Sequence, residues 1–399
     1  MPNQDLSTIA RWSVLMLCAL TIIVVYTVPA LMLPVLFAEI AAELNLDFVQ
    51  LGIVWGSLSL SSLLIGLVGG ALSDRWGSRI SLVLICGLIA LFGALRGFAN
   101  SYLTLVTSML LFGLVAPALP AVLHKTGAYL FSNQRSISTV TISTGFALSL
   151  FLGSRYTATW LSPALGGWRN VLFAFSALGL LFAVIWIFIP KPYLAPPINQ
   201  DEPLFPSLIK AVRHILKIRE VWTIGIASLL YWGCVRGFIG YTPLYLRELG
   251  WSAETADSAL SLFFLASLVF AIPSTFLSDH FGLRKTLLIG ASGLAGLGIM
   301  FLGAGSGTLV YIGVIAAGAL FDSYMANHQA ALLDLKGVSV YTGSALGLII
   351  MFRELGGFIS PPIGNWLAQF GLGTPFYFWG SLGIMAAVVY LFLPKPANS

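Results

Sequence analysis

Four ionisable side chains stand inside long apolar runs of this sequence: Arg236, Asp322, Arg353 and Glu354. A charge at membrane depth is costly unless it is paired or hydrated, so each is a functional candidate by default. A guanidinium keeps its charge and can grip a carboxylate or oxyanion through two parallel hydrogen bonds. A carboxyl group can carry a proton where burial disfavours its ionised form. Arg236 shares its helix face with Gly233 and Gly240, with Pro243 beyond, and these small neighbours leave room for a ligand or a helix break. It reads equally as a substrate-anion anchor and as an ion partner of Asp322 or Glu354. Asp322 has Gln329 on its face, while Asn327 and His328 point away. It reads as a proton carrier or, with arginines on two nearby helices, somewhat better as the standing partner of one of them. Arg353 and Glu354 are neighbours, so on a helix they project about 100° apart and cannot both face one cavity. Arg353, in line with Gly356, Gly357 and Ser360, is assigned to the cavity, and Glu354 to an adjoining helix as counter-charge. Tyr26 and Tyr241 are expected to join Arg236, Arg353 and Gln329 in lining that cavity.

The elements that must position these groups follow from composition. Of 399 residues, 58% are hydrophobic and only 9% charged, and the mean hydropathy is +0.93. A soluble domain carries roughly a quarter charged residues, so this chain could not keep its surface wet. Runs of the length needed to cross a bilayer recur throughout, predicting an all-α membrane protein of twelve spans. They fall near 12–38, 50–72, 80–98, 102–123, 137–160, 169–189, 220–246, 256–277, 284–304, 308–333, 340–368 and 374–393. Most Lys and Arg then lie on one side of the membrane, while Glu39, Glu43, Asp47, Glu248, Glu254 and Asp257 lie on the other. The positive-inside rule accordingly predicts cytoplasmic N and C termini. The net charge of +5 is thereby explained by topology, without nucleic acid. Arg96 and Arg169 fall near the outer ends of their spans and are expected at the interface. Cys18, Cys86 and Cys234 lie inside spans and read as small buried hydrophobes, not disulfide partners or metal ligands.

An internal repeat organises the spans. Residues 44–74 match 249–279 in length and at both ends. In the loops that follow, Asp74, Gly77 and Arg79 recur as Asp279, Gly282 and Arg284, and the stretch 187–192 recurs as 391–396. The offset is about 205 residues throughout. The expected organisation is two pseudo-symmetric six-helix bundles, 1–189 and 220–399, joined by a cytoplasmic linker at 190–219. The linker begins Pro-rich and ends as a basic amphipathic helix over 207–219, suited to lie along the lipid headgroups with Lys210, Arg213 and Lys217.

With Gly70, Asp74, Arg75, Gly77 and Arg79 in one loop and Asp279, Gly282, Arg284 and Lys285 in its copy, the chain resembles the major facilitator superfamily of secondary transporters. The second copy has Thr275 where the leading glycine would stand. The Gly166-to-Asn170 segment is similar to the family as well. The resemblance spans essentially the whole chain and implies alternating access around a midplane site, with these loops as a conformational latch. An Asp at a helix end and arginines one turn on can hydrogen-bond across to a neighbouring helix, and Gly77 and Gly282 suit a tight turn. Many proton-coupled exporters of the family carry an arginine four residues before a helix-4 glycine; here Met109 precedes Gly113, which weakens a drug-antiporter reading. The stretches 243–252 and 119–125 resemble the cyanate/nitroimidazole-type porters. The expected function is secondary transport of a small anionic solute, an organic acid or small oxyanion, coupled to protons or running by exchange. In that reading Arg236 and Arg353 hold the anion, and Asp322 or Glu354 couples. Alternatives are proton-coupled efflux of a hydrophobic drug or metabolite, and a receptor that senses a solute without moving it. No phosphate-binding loop, no nucleophile–base pair and no metal-ligand spacing occurs, so no enzyme, cofactor or metal is expected. The remaining expectations are a monomer in the lipid bilayer of a bacterial inner membrane.

Overall fold

The computed structural model describes residues 7–65, 69–132, 134–196, 204–304, 307–338 and 341–394; within these the side chains of 69–74, 135, 204–209 and 279 lie outside the description. Among the described residues the chain is all-helical, with twelve helices long and apolar enough to cross a membrane. These are α1 (Thr8–Leu31), α2 (Phe48–Ile65), α3 (Arg75–Gly97), α4 (Tyr102–Leu130), α5 (Ser136–Leu165) and α6 (Trp168–Phe188). The rest are α7 (Arg219–Glu248), α8 (Ala253–Ser278), α9 (Arg284–Gly303), α10 (Gly307–Leu333), α11 (Thr342–Phe370) and α12 (Thr374–Leu391). Helices are the economical solution here, because lipid offers no partner for backbone N–H and C=O groups.

Three spans are interrupted. In α1 a π-helical stretch, Ile22–Thr27, precedes a break at Met32 (φ −97°, ψ 6°), after which helix resumes at Leu33. Pro29 and Pro34 flank that break and account for it. In α4 regular helix stops at Gly113, passes through a 3-10 turn at Ala116–Ala118 and resumes at Leu119. In α10 it stops at Gly318 and resumes at Phe321. The α4 and α10 breaks lie one repeat length apart, so the duplication extends to an interruption inside the span. Pro117 and Pro120 announce it in α4, whereas α10 has no proline there.

The chain divides into two compact units, Met1–Leu44 with Leu64–Glu202, and Asn45–Leu63 with Pro203–Ser399. In the first, α6 packs along α3, α1 against α5, and α4 against both α3 and α5. Where α3 begins, Gly77 adopts φ 74° and Gly282, its counterpart before α9, adopts φ 64°; only glycine takes these values freely. Each turn then fastens the end of its last helix. Arg79 donates to the Ile187 carbonyl, and Lys285 donates to the Leu391 carbonyl at 2.8 Å. Both carbonyls are among the orphaned last-turn acceptors of α6 and α12, and the prolines at 190 and 394 supply no N–H to them.

In the second unit α7 is the hub, with α11 on one side and α12 on another. A Cβ at Gly356 would lie 2.0 Å from the Leu229 carbonyl oxygen, so the α7 and α11 backbones touch directly. On the other side of α11, Gly52 and Gly56 of α2 face the backbone at Pro361 and Phe358, a small-xxx-small approach. The linker helix runs over Leu204–Ile215. It buries Ala211 and Ile215 and leaves Lys210, Arg213 and Lys217 exposed.

Candidate functional site

Two of the four in-span charges are brought together along α7, each laid on an indole. The Arg236 guanidinium carbon lies 3.4 Å from the Trp55 ring centroid, and Trp55 Nε1 donates to the Arg236 carbonyl at 2.9 Å. One turn back on α7, Trp232 carries the guanidinium of Arg353 at 4.7 Å. Stacking covers one face of each cation and leaves its donors pointing edgewise. Arg236 is 4% exposed, whereas the Arg353 side chain is 24% exposed. The glycines beside Arg236 serve packing instead of a ligand. A Cβ on Gly240 would strike Trp55 at 2.5 Å, and one on Gly233 would lie 3.2 Å from Ser360 Cβ. Neither tryptophan was singled out by sequence reasoning. Among eleven tryptophans and a 13% aromatic content, nothing in the sequence marks these two.

Two buried polar atoms near Gly357 of α11 have no hydrogen-bond partner among the described residues, Ser59 Oγ and Trp232 Nε1. Both face Gly357, where a Cβ would stand 2.7 and 3.1 Å from them. Such donors buried without partners are uncommon and mark a place where a further polar group would be welcome.

Glu354 pairs with Arg353, so the two charges are not divided between a cavity and a neighbouring helix. Nε and Nη2 of Arg353 both reach the same oxygen, Oε1, at 3.0 and 2.7 Å. Asp322 has no arginine partner among the described residues, which corrects the expected ion pair. It occupies the first turn of the helical segment that resumes at Phe321, and its backbone N–H donates to Ser267 Oγ at 3.0 Å. A helix N-terminus favours a negative charge, which accounts for an acid there without a cation. Phe321 stacks on Trp232 at 6.1 Å, so Asp322 is one residue from the aromatic platform under Arg353.

Gln329 is exposed, and the buried polar residues of α10 are Ser323, Asn327 and His328. Ser278 Oγ donates to Asn327 Oδ1 at 2.7 Å. His328 Nε2 meets Ser228 Oγ at 3.4 Å, and its ring stacks on Tyr324, whose hydroxyl meets that of Tyr390 at 2.8 Å. Tyr241 does not line this site. It is fully buried among Phe48, Tyr245, Phe376 and Trp379, and its hydroxyl donates to the Leu372 carbonyl at 3.2 Å. Tyr26 belongs to the first unit, half-buried and stacked on Phe146.

In the latch loops Arg75 is exposed, Arg79 caps α6, and Arg284 pairs with Asp334. The side chains of Gly70, Asp74 and Asp279 lie outside the described residues. Among the described residues no three His, Cys, Asp or Glu side chains gather as a metal site would need.

In the first unit Arg96 is a buried in-span cation, which corrects its interfacial placement. Arg96 is 1% exposed. Its Nη1 donates to the Pro29 carbonyl at 2.7 Å, beside the α1 break, and its guanidinium lies 3.7 Å over Phe112. Arg169 is tied as well: Nε donates to Glu43 Oε1 and Nη1 to the Gly97 carbonyl, at 2.7 and 2.6 Å. Trp168 Nε1 donates to the other oxygen of Glu43 at 2.6 Å. The hydrogen bond from Arg169 is the main reason the Glu43 carboxyl is held below the usual carboxylate range.

Known proteins agree with this architecture. The sequence model for the Major Facilitator Superfamily matches residues 15–256 and 243–399. A probable nitrate/nitrite antiporter of Thermus thermophilus is 25% identical over 406 residues, covering 91% of this chain and 86% of that protein. A cis,cis-muconate transport protein of Acinetobacter baylyi is 26% identical over 411 residues, covering 95% of this chain and 93% of that protein. Among solved structures, a nucleoside transporter superposes with a TM-score of 0.79 at 12% identity, over 96% of this chain and 100% of that one. At that identity the likeness is one of fold alone.

Proposed function

Because the chain belongs to the major facilitator superfamily, an integral multi-pass membrane protein and not an enzyme, we propose that it is a secondary transporter of a small anion, an organic acid or small oxyanion. The observation that carries this reading is the pair of arginine–tryptophan stacks along α7. A guanidinium with one face on an indole and its donors held edgewise is preorganised for a planar anion. Relatives named for nitrate/nitrite and for cis,cis-muconate support the same class. Arg236 and Arg353 hold the anion, and Asp322 or Glu354 couples its movement to protons, unless transport runs by exchange. The halves 1–189 and 220–399, joined through 190–219, alternate access with the Gly77 and Gly282 loops as their latch. The termini and the linker face the cytoplasm of a bacterial cell, and the protein works as a monomer in its inner membrane.

The test is uptake of radiolabelled nitrate and cis,cis-muconate into proteoliposomes, with and without an imposed pH gradient. At least one anion is expected to enter and to exchange. Arg236→Ala and Arg353→Ala each reduce that uptake by at least about tenfold, the worth of one charge-assisted hydrogen bond. Uptake unchanged in both variants sinks the anion reading, and resistance to dyes in an expressing strain favours efflux.

A further inference from the structure

We propose that Ser59 and Trp232 give the transported anion a second polar contact, one helical turn from Arg353. The substrate is then an organic acid with a second oxygen acceptor at that distance from its carboxylate, a dicarboxylate or a hydroxy acid. This rests on the reading that Arg353 binds the anion. The first observation is that both donors are exceptions among their kind. Of the four serines in α2, Ser57, Ser61 and Ser62 donate to the carbonyls of Ile53, Ser57 and Leu58. That bond, to the carbonyl four residues back, satisfies a hydroxyl within its own helix. Ser59 is 0% exposed, yet its hydroxyl forgoes this bond and has no other partner among the described residues. Buried indoles show the same contrast. Trp55, Trp186 and Trp379 donate to the Arg236 carbonyl, the Thr21 hydroxyl and the Ser360 carbonyl, whereas Trp232 Nε1 finds no acceptor. A donor buried and unused is costly.

The second observation is that the two exceptions meet at one place. Ser59 comes from α2 and Trp232 from α7, and both reach the same glycine of α11, Gly357. Packing alone gives no reason for two unsatisfied donors from different helices to converge. An acceptor supplied from outside the chain does, because it satisfies both at once.

The third is the register with the cation. Gly357 follows Arg353 by four residues on α11, so the two share a helix face about 6 Å apart along the axis. One indole serves both positions. The face of Trp232 carries the Arg353 guanidinium at 4.7 Å, and its Nε1 edge reaches Gly357. The Arg353 side chain is 24% exposed, while Ser59 is buried. A ligand held at the cation by one carboxylate therefore meets the two donors with its far end. Nitrate carries its oxygens on a single atom and cannot satisfy both places. A dicarboxylate of about four to six carbons covers one helical turn. Sites built to hydrogen-bond a substrate group reject analogues that lack it, because the donors are then left unpaired.

The experiment uses the full chain in proteoliposomes exchanging labelled cis,cis-muconate at equilibrium. The competitors are unlabelled muconate and cis,cis-2,4-hexadienoate, the same carbon chain with a methyl group in place of the second carboxylate. For the wild type, muconate is expected to halve the exchange at a concentration at least about tenfold lower than hexadienoate does. Ser59→Ala removes one donor. Trp232→Phe removes the other while keeping a ring under Arg353. Each is expected to lower that preference about fivefold, the worth of one hydrogen bond. Ser292→Ala, which removes another buried hydroxyl without a partner among the described residues, on α9, keeps the wild-type preference. Equal potency of the two competitors on the wild type overturns the proposal, as does a preference unchanged in either donor variant or lowered as far in Ser292→Ala. If one donor variant does not fold, the other decides. Exchange of nitrate without exchange of muconate also overturns it, and leaves anion transport standing. Failure of both anions to exchange overturns the transport reading, and this inference with it.

Discussion

The two units differ in what their in-span arginines hold. In the first, Arg96 lies inside a span, flat on Phe112, and its donor is used by a backbone carbonyl that the broken α1 leaves short of a partner. Arg169 and Glu43 tie α6 to the helix after α1. In the second, glycines and large aromatics pack the helices and the Arg247–Asp257 pair ties α7 to α8, while Arg236 lies over Trp55 and Arg353, paired with Glu354, over Trp232. Two guanidiniums can thus look alike in sequence, each in an apolar run and each over a ring, and differ in kind. One completes a backbone. The other pairs with the carboxylate beside it.

The largest expected effect tests how the second unit is fastened. Gly356→Ala would place a methyl group 2.0 Å from the Leu229 carbonyl oxygen, and two backbones cannot yield as a side chain can. The α7–α11 pair must separate, costing about 3 kcal/mol or more. The measurement is the folded yield and midpoint in a thermal unfolding scan. Gly87→Ala, in α3 with nothing within 4 Å of the added carbon, is the control and should match wild type or exceed it slightly. Equal behaviour of the two would remove the claim that close backbone contact holds the second unit.

The comparison of arginines comes next. Arg96→Met leaves the Pro29 carbonyl buried without its donor, a loss of about 2 kcal/mol read as lowered thermal stability. Anion exchange per folded molecule should persist. Arg353→Lys should do the reverse: stability is nearly kept, because the charge beside Glu354 remains, while exchange falls at least about tenfold with the loss of the planar fork. If Arg96→Met abolishes exchange in well-folded protein, the two cations belong to one function and the contrast fails.

Much of this was legible in the sequence, for identifiable reasons. Hydropathy locates spans because lipid imposes one rule on every helix. The duplication survives at helix ends and turns, where Gly77 and Gly282 need the same left-handed backbone and Arg79 and Lys285 meet equivalent carbonyls. The break in α10 was hidden, since only its α4 counterpart carries prolines. Arg96 was misplaced because nearness to a span end says nothing about which neighbour the face meets. Trp55 and Trp232 could not be chosen either. A stacking partner 181 or 121 residues away is set by packing, and no local spacing encodes it. Tyr241 failed for the same reason, its hydroxyl already spoken for by Leu372. The grouping of α2 with the second unit also left no trace in the repeat, because homology records descent while packing records contact.

The smallest expected effect sharpens the claim that the first unit uses its end charges as ties. Glu43 is held below the usual carboxylate range chiefly by the Arg169 hydrogen bond, with Trp168 adding to it. A carboxyl depressed in the folded state contributes stability that is present above its unfolded value, and that is lost as pH falls through the folded value. The tie is therefore intact at neutral pH and released on acidification below the ordinary carboxylate range. With the Glu43 side chain 48% exposed, water screens the pair, and its worth is below about 1 kcal/mol. Thermal midpoints of wild type and Glu43→Gln should differ slightly at neutral pH and converge in acid, and added salt should shrink the neutral-pH difference. A difference that grows in acid would mean that the carboxylate opposes folding, and the first unit would then be held by its apolar packing alone.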